Sequence, residues 1–116
     1  MELGADVDVW LHCAPVDFRK QINGLVILVE QELGADPFAK RLYAFTNRRR
    51  DRVRLLYWDR NGFALWLKRL EQDRFPWPDR GDEVIELSSR ELNWLLDGLD
   101  FFSLRPHDEV SYASTL

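Results

Sequence analysis

Apolar and polar residues alternate along several short stretches of the chain, as they do in β-strands that have two different faces. In the first of these, VDVWLH, the residues Val7, Val9 and Leu11 share one side. The central stretch, from Arg41 to Pro78, contains three more such runs before its prolines end the pattern. A short apolar run follows later in the chain. We therefore predict strands at 7–12, 41–46, 52–59, 63–70 and 84–87.

Two other stretches repeat their apolar residues at the helical spacing of three and four positions. The first follows Asp17, which is suited to capping a helix that begins near Phe18, and Gly34 stands where a helix often stops. The second follows Ser88, which forms a capping-box pattern with Glu91. We expect these residues to face inward: Ile22, Leu25, Val26, Leu28, Val29, Leu33, Leu92, Leu95, Leu96 and Leu99.

The predicted elements follow the order β-α-β-β-β-(β)-α. The simplest arrangement that buries them is an α+β fold, a small antiparallel β-sheet of about four or five strands with two helices packed on one face. A chain of 116 residues is typical of one domain. We place this single domain at 1–102 and interpret the polar stretch 103–116 as a flexible C-terminal tail.

The last two central strands are joined by the sequence DRNG, residues 59–62, which is typical of a hairpin turn. We expect a three-residue loop with Gly62 in the left-handed position, which places Asp59 opposite Phe63. In that register one face of the hairpin is entirely apolar, and the other collects basic and aromatic residues. A two-residue loop would shift the register by one and mix the two faces.

The sequence also indicates where the protein works. No stretch has the roughly 18 consecutive apolar residues that cross a membrane, and the N-terminus lacks the basic and apolar regions of a signal peptide. The single cysteine, Cys13, cannot form a disulfide within the chain. We therefore expect a cytoplasmic protein with no membrane partner.

The net charge of −4 is unevenly distributed along the chain. Residues 40–74 contain eleven basic and four acidic residues, a local net charge of +7, whereas both flanking parts are acidic. A local excess of this size can attract nucleic acid even in an acidic protein, because binding follows the local field. The alternative is that the acidic parts fold back and neutralise the basic one.

In the predicted register, one face of the hairpin presents cations beside flat rings, the combination that binds phosphates and unpaired bases. Tyr43 and Phe45 could join it from the neighbouring strand, and three consecutive arginines form the turn at its end. Alternatively, a helix or a second subunit covers the tryptophans, and the arginines form only a solvated tip. The residues that we expect to bind nucleic acid are Arg48, Arg49, Arg50, Arg52, Arg54, Trp58, Trp66, Lys68 and Arg69.

Other chemistry has little support in the sequence. Two histidines and one cysteine are too few for a zinc site or for Cys–His catalysis. Asp51 and Asp59 lie in turns, where aspartate is favoured for backbone reasons, and Glu71 and Asp73 resemble solvated partners of nearby cations. A metal-dependent nuclease site is therefore the weaker interpretation. We predict no cofactor, no metal and no catalytic residue.

Several motifs of the chain resemble a known family. They are DFRKQINGL (Asp17–Leu25), DPF (Asp36–Phe38), NRRRDRVRLLYWDRNGF (Asn47–Phe63), LWLKRLEQDRFPWP (Leu65–Pro78) and LNWLLDGLD (Leu92–Asp100). In this order they are similar to the small accessory protein, TnpB or Orf2, of the IS66 family of bacterial insertion sequences. An RNA-guided nuclease shares the name TnpB, but its carboxylate motif and its length are absent here.

The resemblance implies an accessory role in DNA transposition, beside a separate transposase that carries the catalytic carboxylates. It implies no catalytic residue in this chain. The sequence departs from the family pattern at Asn23, where an acid is common, and at Lys40, where a glycine is common. The positions that carry the pattern are Arg48, Arg49, Asp51, Arg52, Trp58, Asp59, Gly62, Lys68, Arg69, Leu70, Phe75 and Trp77.

We therefore expect a non-enzymatic accessory protein that contacts DNA or RNA through its basic and aromatic hairpin. The alternative is an adaptor that binds only the transposase of the same element or a second copy of itself, which would make it a homo-oligomer.

Overall fold

The computed structural model describes residues 7–102, so the predicted tail at 103–116 lies outside the described residues. The elements are β1 (Asp8–His12), α1 (Ile22–Gln31), β2 (Arg41–Thr46), β3 (Arg52–Asp59), β4 (Gly62–Arg69), β5 (Val84–Leu87) and α2 (Ser89–Leu96). The strands form a five-stranded sheet in the order β4-β3-β2-β1-β5. The predicted α+β fold, with five strands and two helices, is confirmed.

The sheet is mixed, so the prediction of a purely antiparallel sheet is wrong. β1 and β2 are parallel, with Asp8 beside Arg41 and Leu11 beside Ala44. The other strand pairs in 7–102 are antiparallel. The reason is α1, which lies between β1 and β2 in the chain. A helical crossover returns the chain to the end of the sheet where it started, as parallel neighbours require.

The helices cover opposite faces of the sheet, and the prediction of two helices on one face is wrong. Successive side chains of a strand point to opposite faces. In β2, Leu42 and Ala44 pack in a buried cluster with residues of α2, whereas Tyr43 and Phe45 pack in a second cluster with residues of α1. We call these the α2 face and the α1 face. The four consecutive apolar residues of β2 are typical of a strand that is covered on both sides.

The β3–β4 hairpin has a two-residue loop, Arg60 and Asn61, and the predicted three-residue loop is wrong. Asp59 pairs with Gly62 and Trp58 with Phe63. The left-handed residue of the turn is Arg60, at φ 56°. The predicted register rested on one face of the hairpin being apolar. That criterion fails here because helices cover both faces of the sheet, so both faces of the hairpin carry apolar residues.

Helix α1 begins at Ile22, later than the predicted start near Phe18. Asp17 does not cap it. The Asp17 carboxylate instead accepts hydrogen bonds from the backbone N–H and the guanidinium of Arg19, at 2.6–3.0 Å. The Lys20 N–H donates to the Asp17 carbonyl at 3.0 Å, which closes a turn. An aspartate serves such local turns as readily as it caps a helix.

The residues that the helical spacing predicted to face inward do pack inward, with one exception, although Ile22, Val26 and Leu33 are only partly buried. Leu99 is 53% exposed, because α2 ends at Leu96 and Gly98 turns the chain at φ 84°. The predicted capping box is present, since Ser88 Oγ accepts from the Glu91 N–H and Glu91 Oε1 accepts from the Ser88 N–H. The residues that pack inward as predicted are Ile22, Leu25, Val26, Leu28, Val29, Leu33, Leu92, Leu95 and Leu96.

After β4 the chain leaves the sheet, as its prolines predicted, and packs on the α2 face. Phe75 and Trp77 are buried there, and Trp77 Nε1 donates to the His12 carbonyl at 3.1 Å. The same cluster contains Cys13, and burial is the main cause that raises the pKa of its thiol to about 12. No helix within 7–102 is long and apolar enough to cross a membrane.

Candidate nucleic-acid interface

The three consecutive arginines lie in the turn between β2 and β3, residues 47–51, which we call the arginine turn. Its backbone is held by Asn47, which is 8% exposed. Asn47 Oδ1 accepts from the backbone N–H groups of Asp51 and Arg52, both at 3.2 Å, and Asn47 Nδ2 donates to Asp51 Oδ1 at 2.7 Å. One buried amide thus fixes the turn with three hydrogen bonds.

The turn is also tied to the chain that follows β4. The Asp51 carbonyl accepts from the Leu70 N–H and the Arg50 carbonyl accepts from the Phe75 N–H, both at 2.8 Å. Arg50 itself adopts the left-handed conformation at φ 60°. The backbone of the turn is therefore anchored on both sides before any ligand arrives.

The three arginine side chains of this turn have different surroundings. Arg48 and Arg49 are exposed, and the Arg49 side chain keeps 81% of its surface in solvent. Within residues 7–102, Arg48 has no hydrogen-bond or ion-pair partner. Arg50 is only 31% exposed and lies 3.7 Å from an Asp79 carboxylate oxygen. Arg49 Nε lies 3.9 Å from Asp51 Oδ2. The turn therefore presents one cation without a partner among residues 7–102, Arg48, and one largely exposed cation in a long ion pair, Arg49.

A second basic segment lies beside the arginine turn. The Val16 N–H donates to the Thr46 carbonyl at 2.8 Å, which fastens the loop before α1 to the end of β2. A cleft of about 400 Å³ separates this loop from the turn, and its walls include Arg19, Arg48 and Arg49. The Arg19 guanidinium, 91% exposed, holds the pKa of the Asp17 carboxyl at about 2 through hydrogen bonds.

Two further arginines face each other where β3 begins and β4 ends. Arg52 and Arg69 are direct cross-strand neighbours, a placement that is unfavourable for like charges. Each has a carboxylate nearby: Arg52 Nη1 lies 3.7 Å from Asp51 Oδ1, and Arg69 Nε lies 2.9 Å from Glu71 Oε2. The hydrogen bond from Asn47 is the largest cause that lowers the pKa of Asp51, and Arg52 also lowers it.

These residues form a single patch at one end of the sheet. We call it the basic end and define it as Arg19, Arg48, Arg49, Arg52 and Arg69. It presents guanidinium groups, which bind phosphate oxygens through paired hydrogen bonds. The Glu71 carboxylate is 75% exposed, so its ion pair with Arg69 is weak and open to exchange for a phosphate. The pair of Arg19 with Asp17 is bidentate and therefore of the stronger kind.

Arg54, also predicted to bind nucleic acid, has a structural position instead. One of its terminal nitrogens donates to the Lys20 carbonyl at 2.6 Å, and its guanidinium lies 4.5 Å from the centre of the Phe18 ring. Burial is the first cause that lowers its pKa, and the neighbouring Arg52 is the second. Arg54 thus fastens the loop before α1 to the sheet.

The predicted single face of cations and aromatic rings does not exist. Trp66 packs with the α2-face cluster, and Lys68 Nζ on the same face donates to the Leu96 carbonyl at 2.9 Å, where α2 ends. Trp58 lies at the opposite end of β3 from the arginine turn and contacts Phe38 and Phe63, with ring centroids 4.9 and 5.0 Å away. The predicted register, which is wrong, placed Trp58 and Trp66 on the same face of the hairpin.

The structure removes two residues from the predicted nucleic-acid surface and adds one. Tyr43 and Phe45 are fully buried against α1, so they cannot join an open surface. Arg19 belongs to the patch but was assigned to a helix in the sequence analysis. The spacing Asp17-x-Arg19 is the clue that was available, because an aspartate can bond the chain two residues later instead of capping a helix.

The carboxylates considered for a nuclease site do not converge. Asp51 and Asp59 flank β3 at its two ends. Among residues 7–102, no group of three or more His, Cys, Asp and Glu side chains is placed to hold a metal ion.

The chain matches the family model described as IS66 Orf2 like protein over residues 7–106. It is similar to the uncharacterized protein y4jC of Sinorhizobium fredii (strain NBRC 101917 / NGR234), with 42% identity over 87 residues, which are 75% of this chain and 74% of the relative. It is also similar to the uncharacterized protein y4hO of the same strain, with 31% identity over 98 residues, 84% of this chain and 85% of the relative. No solved structure matches the chain.

Proposed function

Since the chain belongs to the IS66 Orf2-like family, with its transposition-associated accessory role, we propose that it assists transposition by binding nucleic acid through the basic end. The protein acts in the cytoplasm and leaves the cutting and joining of DNA to a separate transposase. Its contribution is to hold the nucleic-acid backbone.

One observation carries this proposal. Arg48 and Arg49 project into solvent from a turn whose backbone is already fixed by the buried Asn47. Ordering a flexible loop on binding lowers affinity, and a turn that is fixed in advance avoids most of that loss. A purely solubilising tip needs charge but does not need this anchoring.

The pairing of Arg52 with Arg69 supports the same conclusion. Like charges directly across two strands destabilise a sheet. Among residues 7–102 they are offset by the exposed Glu71 and by Asp51, which also lies near Arg49. A phosphate group placed between these guanidinium groups would relieve the repulsion. The site thus favours an anion with several oxygens.

The surroundings favour backbone phosphates over unpaired bases. The two tryptophans expected to stack on bases lie away from the basic end, Trp58 at the far end of β3 and Trp66 on the α2 face. Contacts to phosphate alone carry no base sequence. We therefore propose duplex DNA, at the ends of the element, as the form that is bound, with the choice of sequence left to the transposase.

The test is binding to labelled duplex DNA by fluorescence anisotropy at several salt concentrations. Affinity should fall steeply with salt, because each neutralised phosphate contributes about −0.9 to the slope of log K against log salt. The double variant Arg48→Ala/Arg49→Ala should bind roughly tenfold more weakly at low salt, with a slope smaller by about two units.

The matched control removes two exposed cations from the other end of the sheet, in the double variant Lys40→Ala/Arg60→Ala. It keeps the same net charge as the test variant, so it should retain nearly wild-type affinity. Equal losses in both variants would mean a nonspecific charge effect and would contradict the proposal. Plasmid DNA incubated with the protein and Mg²⁺ or Mn²⁺ should stay intact.

The adaptor function is the second candidate, and exposed apolar residues favour it. Phe38 and Leu67 keep 54% and 51% of their surface in solvent, more than a role in DNA binding explains. An adaptor would fail to bind DNA at low salt and would still form a stable complex with the transposase. That pair of results would replace the nucleic-acid proposal with the adaptor.

A further inference from the structure

The cleft between the arginine turn and the loop before α1 has cations on both of its walls. The loop contributes Arg19, and the arginine turn contributes Arg48 and Arg49. The hydrogen bond from the Val16 N–H to the Thr46 carbonyl, at 2.8 Å, holds the two walls together. An anion inside the cleft can therefore be bound from two sides, whereas an anion on an open surface is bound from one.

The size of the cleft limits what can enter it. Its volume is about 400 Å³, and pockets of about 300–1,000 Å³ are those that hold small ligands. The side of a duplex is too wide for such a space, since the major groove alone is about 12 Å across. A single nucleotide is small enough, so the cleft suits the end of a strand.

Arg19 keeps hydrogen-bond donors for an anion even though it is paired with Asp17. Its Nε and Nη2 donate to the Asp17 carboxylate at 2.6–3.0 Å. A guanidinium has five N–H groups, and Nη1 of Arg19 has no hydrogen-bond partner among residues 7–102. Asp17 thus fixes the orientation of the guanidinium and leaves part of it available.

The charge of the cleft matches a phosphate monoester better than a phosphodiester. The charged side chains in its walls carry a net charge of +2 and are Asp17, Arg19, Arg48 and Arg49. A phosphodiester within a strand has one negative charge, whereas a monoester carries about −1.5 to −2 at neutral pH and has three strong acceptor oxygens. A terminal phosphate therefore offers the guanidinium groups both more charge and more acceptors.

An aromatic ring also lines the cleft. Phe18 is partly buried there, and the Arg54 guanidinium lies 4.5 Å from the centre of its ring, which helps to hold the ring in place. Unpaired bases stack on aromatic side chains. The cleft therefore combines groups for both parts of a nucleotide, cations for the phosphate and a ring for the base.

We propose that the cleft binds the terminal nucleotide of a DNA strand that ends in a phosphate monoester. This inference rests on the proposed function and makes it more specific, because the exposed arginines hold the duplex and the cleft holds its phosphorylated end. Hydrolysis of a phosphodiester leaves a phosphate monoester on one strand end and a hydroxyl on the other, and an uncut strand has neither at that point. The protein therefore favours cut DNA over intact DNA.

The test compares labelled duplexes of one sequence whose ends carry a 5′-phosphate, a 3′-phosphate or only hydroxyl groups. Fluorescence anisotropy measures the affinity of the full chain for each. One phosphorylated duplex should bind roughly tenfold more tightly than the hydroxyl duplex, because the monoester adds charge-assisted hydrogen bonds. The duplex with the higher affinity shows which strand end enters the cleft.

Arg19→Ala should abolish this preference, because it removes the cation from one wall of the cleft. The matched control is Arg69→Ala. Both arginines are exposed and each is paired with a carboxylate two residues away, so the two variants lose the same charge and an ion pair. Arg69 belongs to the basic end but does not line the cleft, so Arg69→Ala should weaken binding to all three duplexes equally and keep the preference. A preference that survives in Arg19→Ala, or that is lost in both variants, would overturn the inference.

These measurements also separate the inference from the proposed function. Equal affinity of the wild type for all three duplexes would overturn the inference and leave DNA binding through the basic end intact. If the wild type binds no duplex, the proposed function fails, and the cleft is tested alone by NMR titration with a deoxynucleoside monophosphate and with the matching deoxynucleoside. Binding of the monophosphate that Arg19→Ala removes would support the cleft as a nucleotide site. A wild type that binds neither compound, or that binds only a glutamate-rich peptide, would overturn it.

Discussion

Both turns that flank β3 hold an arginine in the left-handed conformation, Arg50 at φ 60° and Arg60 at φ 56°. Apart from this they are built differently. The first turn is fixed by three hydrogen bonds of the buried Asn47 side chain. The second is a two-residue loop with no side-chain hydrogen bond among the described residues, and the Arg60 side chain is 91% exposed.

The difference shows how the same residue type can serve two purposes. In the β3–β4 turn, arginine is a solvated residue in a loop whose shape is set by the strands. In the arginine turn, a buried side chain fixes the backbone, and the strained Arg50 leaves Arg48 and Arg49 facing solvent. The left-handed arginine is common to both turns, so the buried Asn47 is what separates them, and it is the reason why we propose DNA binding for the first turn alone.

The largest expected effect comes from replacing the one asparagine in each of these two turns. Asn47→Ala should lower the free energy of unfolding by about 2–3 kcal/mol, because three hydrogen bonds are lost and buried backbone N–H groups are left unpaired. Asn61→Ala, in the exposed second turn, should change it by less than about 0.5 kcal/mol. Urea denaturation measures both. Equal losses would mean that the buried amide does not fix the turn.

The limits of the sequence predictions follow from the same two turns. The bounds of β2, β3 and β5 were predicted correctly, because alternation and turn residues define them locally. The register of the second turn was not. It depended on which face of the hairpin is buried, and that is decided by α1 and α2, which lie far away in sequence. The glycine at 62 was a misleading clue, since Arg60 takes the left-handed conformation.

The candidate site was predicted in part for the same reason. Arg48 and Arg49 are neighbours in the chain, so their cluster could be seen in the sequence, and Arg52 and Arg69 required only the hairpin. Arg19 joins them through a backbone hydrogen bond between Val16 and Thr46, a contact between residues 30 positions apart that no local pattern encodes. Trp58 and Trp66 were wrongly grouped because one residue of register moves a side chain to the other face.

A smaller effect should follow from replacing the left-handed arginines by glycine. Arg60→Gly should raise the free energy of unfolding by about 0.5–1 kcal/mol, because glycine adopts this conformation without strain and an exposed side chain contributes little. Arg50→Gly should gain less, since it also removes a side chain that is only 31% exposed and lies near Asp79. Thermal and urea denaturation distinguish the two. A larger gain at Arg50 would show that its side chain makes no useful contact.

The smallest expected effect is a dependence on acid that only the first turn has. The hydrogen bond from Asn47 is the main cause that holds the pKa of Asp51 below its ordinary value of 3.8. A carboxyl with a lowered pKa in the folded state stabilises the protein above its unfolded pKa, and this contribution is lost as pH falls through the folded value. Wild type should therefore lose stability below roughly pH 4.

Asn47→Ala should lose less over the same range, because it lacks the bond that favours the ionised form, whereas Asn61→Ala should behave as wild type. Urea midpoints at neutral and acidic pH measure the difference. If both variants follow wild type, the link between Asn47 and Asp51 does not contribute to stability, and the rigidity of the arginine turn must come from its backbone bonds to Leu70 and Phe75.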